Sequence, residues 1–362
     1  MSRRPRVCAV IMAGGRGTRF WPLSRSRLPK QFLPITGRKT MIEETVERLR
    51  PLLPVGSVYT ISDKSQASAI RELVPGLKRG NILVEPMGRN TAASLILATA
   101  HIYLRDPGTV VFALPADHLI TRPARFIRKL RAAAAAASEE DVIVTFGIPP
   151  SYPSTGFGYI HHSGREPRKI AGEVFYPVLR FKEKPNLARA KRFLAQGNHS
   201  WNSGMFIWRA DVFARKLEEF APEFFRCWRR ILTALERKDR AGVAAIFRKI
   251  PATSIDYALM EKARGVLMVK GDFGWSDVGS WASLADIWPR DDAGNVLRGE
   301  SQFVDSRNCL VYSPRRLTAV VGLEDVIVVD TEDALLVCSK KSDQRVKDVI
   351  EKLRKKGKER IL

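Results

Sequence analysis

Between residues 7 and 146 the chain alternates short apolar, β-branched runs with segments of helical period, and this alternation restricts the fold more than any other feature. The runs at 7–12, 57–62, 81–84, 109–114 and 142–146 read as strands. The segments at 41–52, 65–74, 91–104 and 122–137 read as helices, the last carrying an alanine run of high helix propensity. Strands and helices in this order predict an α/β fold, a doubly wound, mixed and mainly parallel Rossmann-like sheet. Ligands in such sheets sit beyond the carboxyl ends of the strands, so chemistry is expected in the loops after Met12, Val84 and Leu114.

From about Gly156 to Phe206 the pattern changes to strands separated by turns, at 156–160, 178–181 and 201–208. Helices are predicted again over 211–220, 223–236, 240–247 and 255–262. After Trp288 the helical period stops, and 296–304, 309–312, 318–321, 326–329 and 334–338 are closely spaced strand candidates followed by a charged helix over 344–355. The expected division is a large α/β domain over 1–290 and a small β-rich module over 291–362.

The loop after the first strand reads Gly14-Gly15-Arg16-Gly17-Thr18-Arg19-Phe20-Trp21-Pro22-Leu23-Ser24-Arg25 and continues to Pro29-Lys30-Gln31-Phe32. Glycines directly after a strand let backbone N–H groups close around phosphates, because no Cβ blocks the approach. No Gly-Lys-Ser/Thr closes the loop, so it is not a Walker loop; Phe20 stands where a dinucleotide fingerprint needs its third glycine. Arg19 as a fork and Lys30 as a point charge suit a polyphosphate.

Sixty-one Lys and Arg against 38 Asp and Glu give a net charge of +23. Residues 1–42 hold ten basic and no acidic side chains, half of that charge lying within the glycine-rich motif and its continuation. The basic stretch from Lys340 to Arg360 reads equally as a solvated surface. Cys8, Cys227, Cys309 and Cys338 are far apart, which fits free thiols in a reducing cytoplasm better than a disulfide framework or a zinc site. The basic start, Ser2-Arg3-Arg4-Pro5-Arg6, precedes an apolar run that leads into glycines rather than a cleavage site, and no run reaches the length of a membrane span. A cytoplasmic protein without membrane contact is expected.

The string GGRGTRFWPLSRSRLPKQF resembles the signature of bacterial sugar-1-phosphate nucleotidyltransferases, and its Arg-Phe-Trp-Pro-Leu-Ser-Arg and Pro-Lys-Gln-Phe segments resemble the mannose-1-phosphate guanylyltransferase branch. Further matches follow in family order: Glu85-Pro86 with Arg89-Asn90-Thr91, Pro115-Ala116-Asp117-His118, Gly156-Phe157-Gly158-Tyr159-Ile160, Glu183-Lys184-Pro185, Trp201-Asn202-Ser203-Gly204-Met205-Phe206, Ser254-Ile255-Asp256-Tyr257 and Trp275-Ser276-Asp277-Val278-Gly279-Ser280-Trp281. The resemblance implies a nucleotidyltransferase fold with a β-helix-like tail. The implied reaction forms GDP-mannose and pyrophosphate from GTP and mannose 1-phosphate. It implies Mg²⁺ on Asp117 and Asp277, with Arg19, Lys30 and Lys184 as the remaining catalytic set. The nucleotide falls to Gly14, Gly15, Gly17, Thr18, Glu85, Arg89, Asn90 and Thr91, and the sugar phosphate to Gly158, Glu183, Lys184 and Asn202. The resemblance also implies a homodimer. The sequence ends at Leu362 with no histidine beyond His199, so the form expected is the short one without a phosphomannose isomerase domain.

Each assignment has a physical reading of its own. Asp117 follows a strand end, where a carboxylate suits Mg²⁺, though a lone aspartate there is more often a turn or cap. Glu85 offers acceptors for the N1–H and N2–H₂ of guanine, or caps the helix near Thr91. Related sequences continue Arg-Asn-Thr-Ala-Pro-Ala, whereas this chain has Ala92-Ala93-Ser94, a change expected to touch only helix packing. His118 fits a structural hydrogen bond as well as a catalytic role. His161 and His162 point to opposite faces of a strand and are not read as a metal pair. The rival readings are another sugar or base, a non-catalytic regulatory relative, and charge-driven nucleic-acid binding, for which no RNA-binding signature is present.

Overall fold

The structure, a computed structural model, describes residues 6–15 and 17–362; the basic run at 2–5 and Arg16 of the glycine motif lie outside the described residues. The strands are β1 (Val7–Met12), β2 (Val58–Asp63), β3 (Ile82–Glu85), β4 (Val110–Pro115), β5 (Leu119–Ile120), β6 (Ile143–Ile148), β7 (Tyr159–His162), β8 (Arg168–Ile170), β9 (Glu173–Lys182), β10 (His199–Arg209), β11 (Val266–Lys270), β12 (Trp275–Ser276), β13 (Val296–Val304), β14 (Leu310–Val321), β15 (Val326–Asp330) and β16 (Leu335–Ser339). The helices are α1 (Met41–Arg48), α2 (Ala67–Leu73), α3 (Asn90–Tyr103), α4 (Pro123–Glu139), α5 (Leu187–Gln196), α6 (Ala210–Phe220), α7 (Pro222–Glu236), α8 (Arg240–Phe247), α9 (Trp281–Ala285) and α10 (Val346–Lys355).

Packing divides the chain into two compact units that are each discontinuous in sequence. One takes in residues 1–14, 45–116 and 120–275, and the other 15–44, 117–119 and 276–362. The smaller unit therefore reaches back to collect the segment after the glycine turn and the residues around Asp117, because their apolar side chains share its core.

In the larger unit a single mixed sheet runs β3-β2-β1-β4-β10-β6-β11-β9-β7, with β8 on β9. The parallel pairs are β2–β3, β1–β2, β1–β4 and β6–β11. Long β10 enters antiparallel between β4 and β6, and the pairs around β9 are antiparallel too, so parallel pairing is concentrated in the first half. Consecutive buried residues in β1, β4 and β6 match a sheet covered on both faces. Helix α4 begins with Pro123 at its first turn, where the missing N–H costs nothing, and buries most of its alanine run.

Several elements differ from the sequence expectation. Strand β11, helix α5 and strand β8 were not anticipated, and the two strands expected at 309–312 and 318–321 are one, β14. The helix expected at 255–262 is a single π-type turn, Asp256–Met260.

The smaller unit is organised by aromatic residues. Trp281 is fully buried, with its ring 5.3 Å from that of Phe20, and its indole N–H donates to the Trp21 carbonyl at 3.2 Å. Trp288 donates to the Ile35 carbonyl at 2.8 Å. Burial of one such side chain contributes about 3–5 kcal/mol, judged by what truncation to alanine removes. The β-rich part pairs β13 with β14 and β14 with β15 in parallel, then β16 antiparallel on β15. Gly299 has φ +112°, and an added Cβ would strike the Ser313 carbonyl at 1.8 Å, so a side chain there would break the β13–β14 pairing.

Candidate active site

Three side-chain groups occupy the motif positions, one in the smaller unit and two in the larger. In the smaller unit, the turn at Gly17 has φ +57°, and a Cβ there would lie 2.5 Å from the Lys30 Cβ and 2.7 Å from its backbone nitrogen. Only glycine allows Lys30 to come this close. The Ser24 hydroxyl donates to the Gly17 carbonyl at 2.7 Å, and the Phe20 N–H donates to the same oxygen at 3.0 Å, which closes the loop into a short 3-10 turn over Thr18–Phe20. The Gln31 amide donates to the Gly15 carbonyl at 3.0 Å.

Lys30 is buried, and its ammonium donates to Asp117 Oδ2 at 2.9 Å and to the Asp277 carbonyl at 2.5 Å. It therefore ties both expected metal ligands together instead of standing free toward solvent. Asp277 precedes Val278, whose φ of +45° is an outlier for a β-branched residue. Directly after, Ser280 and Ser283 form a reciprocal cap that starts α9. The strained residue thus sits between the carboxylate and a fixed helix end, which restricts where Asp277 can point.

Burial works against the charged form of Asp117, but the Lys30 ammonium, its hydrogen bond and nearby His118 outweigh it and hold this carboxyl below the usual carboxylate range. Asp277 is pushed the other way, first by burial and then by the charge of Asp117, against the pull of Lys30 and Arg19. Two carboxylates that repel one another are therefore held in one place. A recess of about 320 Å³ is lined by Gly17, Thr18, Arg19, Lys30, Asp117 and Asp277, among others. Among the described residues no three Asp, Glu, His or Cys side chains converge as metal ligands. Two carboxylate arms suit a hard cation such as Mg²⁺, which takes one or two protein carboxylates and completes its shell with phosphate and water oxygens.

The larger unit holds a group around Gly14. Glu85 ends β3 and is buried; its Oε1 accepts from the Ser94 hydroxyl, while Oε2 lies 3.5 Å from where a Cβ on Gly14 would sit. Burial raises the Glu85 carboxyl, the Ser94 hydrogen bond lowers it and Asp63 raises it further, so the net shift is upward. Asn90 opens α3 at φ +64° and accepts the Thr91 N–H at 2.8 Å. Arg89 and Thr91 are engaged elsewhere: Arg89 donates to the Arg248 carbonyl, and the Thr91 hydroxyl accepts the Ile255 N–H at 2.9 Å. Ser94 is more than a packing change, since it occupies one oxygen of the carboxylate expected to read the base.

The second group in the larger unit gathers Gly158, Glu183, Lys184 and Asn202. A Cβ on Gly158 would lie 2.3 Å from Glu183 Oε2, so a side chain there would push that carboxylate out of its place. Asn202 donates from its amide to Asp256 Oδ1 at 2.6 Å, and its backbone N–H donates to the Gly158 carbonyl at 2.8 Å. Glu261 Oε1 accepts the Glu183 N–H at 3.2 Å, and the Lys184 ammonium lies 3.3 Å from Glu183 Oε1. Lys184 itself has φ +40°. Glu183 is raised by burial and by Asp256, and Asp256 is raised by burial. Asp256 and Glu261 were absent from the expected site set; the Ser-Ile-Asp-Tyr match marked Asp256, and no motif marked Glu261.

Comparison with known proteins follows the same lines. Residues 8–293 match the nucleotidyl transferase family, and residues 299–353 match the MannoseP isomerase/GMP-like beta-helix domain. The chain is 37% identical to mannose-1-phosphate guanylyltransferase 2 of Escherichia coli O157:H7, over 98% of this chain and 74% of that protein. It is 40% identical to the alginate biosynthesis protein AlgA of Pseudomonas aeruginosa, over 96% of this chain and 72% of that one. A crystal structure from Thermus thermophilus, described as a mannose-1-phosphate geranyltransferase, superposes with a TM-score of 0.87 at 33% identity, covering 96% of this chain and 99% of the other.

Proposed function

Since the chain belongs to the nucleotidyl transferase family, we propose that it is a mannose-1-phosphate guanylyltransferase, forming GDP-mannose and pyrophosphate from GTP and mannose 1-phosphate. The observation that carries the reading is the recess beside Gly17, where Arg19, Lys30, Asp117 and Asp277 converge.

In this reaction a phosphate oxygen of mannose 1-phosphate attacks the α-phosphorus of GTP, and the bond from that phosphorus to the β-phosphate bridging oxygen breaks. The nucleophile is already an anion, so no general base is needed, and the work is positioning and charge neutralisation. Arg19, exposed at the recess, binds the leaving pyrophosphate, with backbone groups of Gly15, Gly17 and Thr18 beside it. Lys30 adds positive charge from behind and keeps Asp117 oriented. Asp117 and Asp277 are the residues that would hold Mg²⁺, which would supply charge neutralisation at the phosphates. The Gly14 and Glu85 group, with Asn90 at the start of α3, is assigned to guanine, and the free Glu85 oxygen is the acceptor it offers. Arg89 and Thr91 shape this group through the Arg248 carbonyl and the Ile255 N–H. Glu183, Asn202 and Gly158 are assigned to the sugar hydroxyls, and Lys184 to the sugar phosphate.

A catalytic domain over 1–290 and a β-helix-like module over 291–362 belong to the same proposal, as do a cytoplasmic location and a homodimer. Leu317, Val321, Leu335 and Val337 of the module are each more than half exposed, and they are the apolar surface we assign to the dimer. Among the described residues no helix is long and apolar enough to cross a membrane.

The test is product identification. Purified protein with GTP, mannose 1-phosphate and Mg²⁺ is expected to yield GDP-mannose and pyrophosphate in equal amounts by mass spectrometry and phosphate-coupled assay. No GDP-mannose from active, folded protein would remove the proposal.

A further inference from the structure

We propose that Lys347, on the first turn of α10 in the C-terminal segment, is a third cation for the leaving pyrophosphate; this rests on the nucleotidyl-transfer reading above. Lys347 lines the same recess as Arg19, Lys30, Asp117 and Asp277, although some 230 residues separate it from Asp117 in sequence and over 300 from Arg19.

Its position is fixed by its neighbours. Val346 and Ile350 of α10 are buried in the core that also contains Phe20, Val278 and Trp281. The turn before the helix is tied down by Asp343, whose Oδ2 accepts the Ala282 N–H at 3.2 Å, only a few residues after Asp277. The chain end is tied to the loop as well: the Trp21 indole N–H donates to the Ile361 carbonyl at 2.8 Å, and the Ser26 N–H donates to the Leu362 carbonyl at 3.1 Å. The C-terminal segment therefore packs on the element that carries Arg19, and Lys347 is the exposed side chain it presents to the recess.

The charges there make the case chemical. Lys30 is buried and occupied by Asp117, so among the described residues the exposed Lys and Arg side chains lining the recess are Arg19 and Lys347. Lysine's flexible stem and compact ammonium suit the moving, multiply charged leaving group.

The experiment uses the full chain with Lys347→Ala, Lys347→Glu and Lys347→Arg, and probes the site with inorganic pyrophosphate and Mg²⁺. Expected is a loss of pyrophosphate affinity of roughly tenfold for Lys347→Ala, a larger loss for Lys347→Glu and near-complete rescue by Lys347→Arg. KM for GTP should rise in parallel, with KM for mannose 1-phosphate and the melting temperature unchanged. Pyrophosphate binding within twofold of wild type in both Lys347→Ala and Lys347→Glu would overturn the inference. So would a fall common to all substrates accompanied by a lower melting temperature, which is the mark of a merely structural role. Wild-type protein that makes no GDP-mannose yet binds pyrophosphate through Lys347 would sink the sugar and base assignment and leave this one standing.

Discussion

The recess beside Gly17 and the group around Glu183 both hold carboxylates, but they treat them in opposite ways. In the recess Asp117 is paired with a buried ammonium and held low, while Asp277, a short distance away, is left high by burial and by its neighbour's charge. Arg19, Lys30 and Lys347 surround this pair, so the region is a balanced mixture of charges of both signs. Around Glu183 the carboxylates of Glu183 and Asp256 are both raised, and Glu261 adds a third negative group, with the exposed Lys184 ammonium beside Glu183. A site of mixed charge suits metal and phosphates, which bring large charges of both signs. A cluster of raised carboxyls suits neutral hydroxyls, which donate hydrogen bonds and relieve the crowding without altering net charge.

The sharpest way to break this comparison is to neutralise the two aspartates of the recess separately. Asp277→Asn and Asp117→Asn are each expected to abolish turnover at saturating Mg²⁺, since a neutral amide holds the cation poorly. Their stabilities should diverge. The Asp277 carboxyl is raised in the fold, so its ionisation is destabilising: its favourable contribution is complete below the unfolded carboxyl range and is lost as pH rises through the folded value. Asp277→Asn should therefore melt at or above the wild-type temperature at pH 7. The Asp117 carboxyl is lowered, its contribution is present above the ordinary carboxyl range, and it disappears as pH falls through the lowered value. Asp117→Asn leaves the buried Lys30 ammonium short of its charged partner and should cost about 1–3 kcal/mol. Calorimetry at pH 7 with equal melting temperatures for the two variants would contradict the contrast.

A second, smaller effect is expected at the base. Glu85→Gln removes an acceptor and places an NH₂ against the donors of guanine, at about 1.5–3 kcal/mol, or on the order of tenfold to a hundredfold in kcat/KM for GTP. ITP, which lacks the 2-amino group, should discriminate less between the two proteins. A uniform fall for GTP, ITP and UTP would make Glu85 a structural residue of the α3 end.

The smallest effect concerns Ser94. Its hydroxyl stabilises the Glu85 carboxylate, so Ser94→Ala should let burial raise that carboxyl further. GTP use then falls as pH drops through the raised value, and the acid limb of the kcat/KM profile moves to higher pH, with little change well above it. An unmoved acid limb would show that Ser94 does not act through Glu85.

These contrasts were unevenly legible in the sequence. Strand β1, helix α8 and strand β13 appear where the pattern places them, because each has a clean period and a marked end. Helix α5 carried a readable start and stop, with Asn186 accepting the Arg189 N–H and Gly197 in the left-handed conformation, yet it lies inside the stretch whose pattern reads as strands separated by turns. Strand β11 is four buried apolar residues closed by Lys270, a length at which a buried strand and a helix segment look alike. In the site, the motif residues were visible as types, but their partners were not. Lys30 on Asp117, Asn202 on Asp256, Ser94 on Glu85 and Lys347 in the recess depend on chain segments brought together by packing, which local pattern does not encode.

The measurement that bears most directly on the account is kcat/KM for GTP, ITP and UTP crossed with mannose 1-phosphate and glucose 1-phosphate, read as pyrophosphate release. The account predicts that GTP with mannose 1-phosphate gives the highest value, with ITP next among the nucleotides and UTP lowest. A higher value for UTP with glucose 1-phosphate would contradict both the base assigned to Glu85 and the sugar assigned to the Glu183 group.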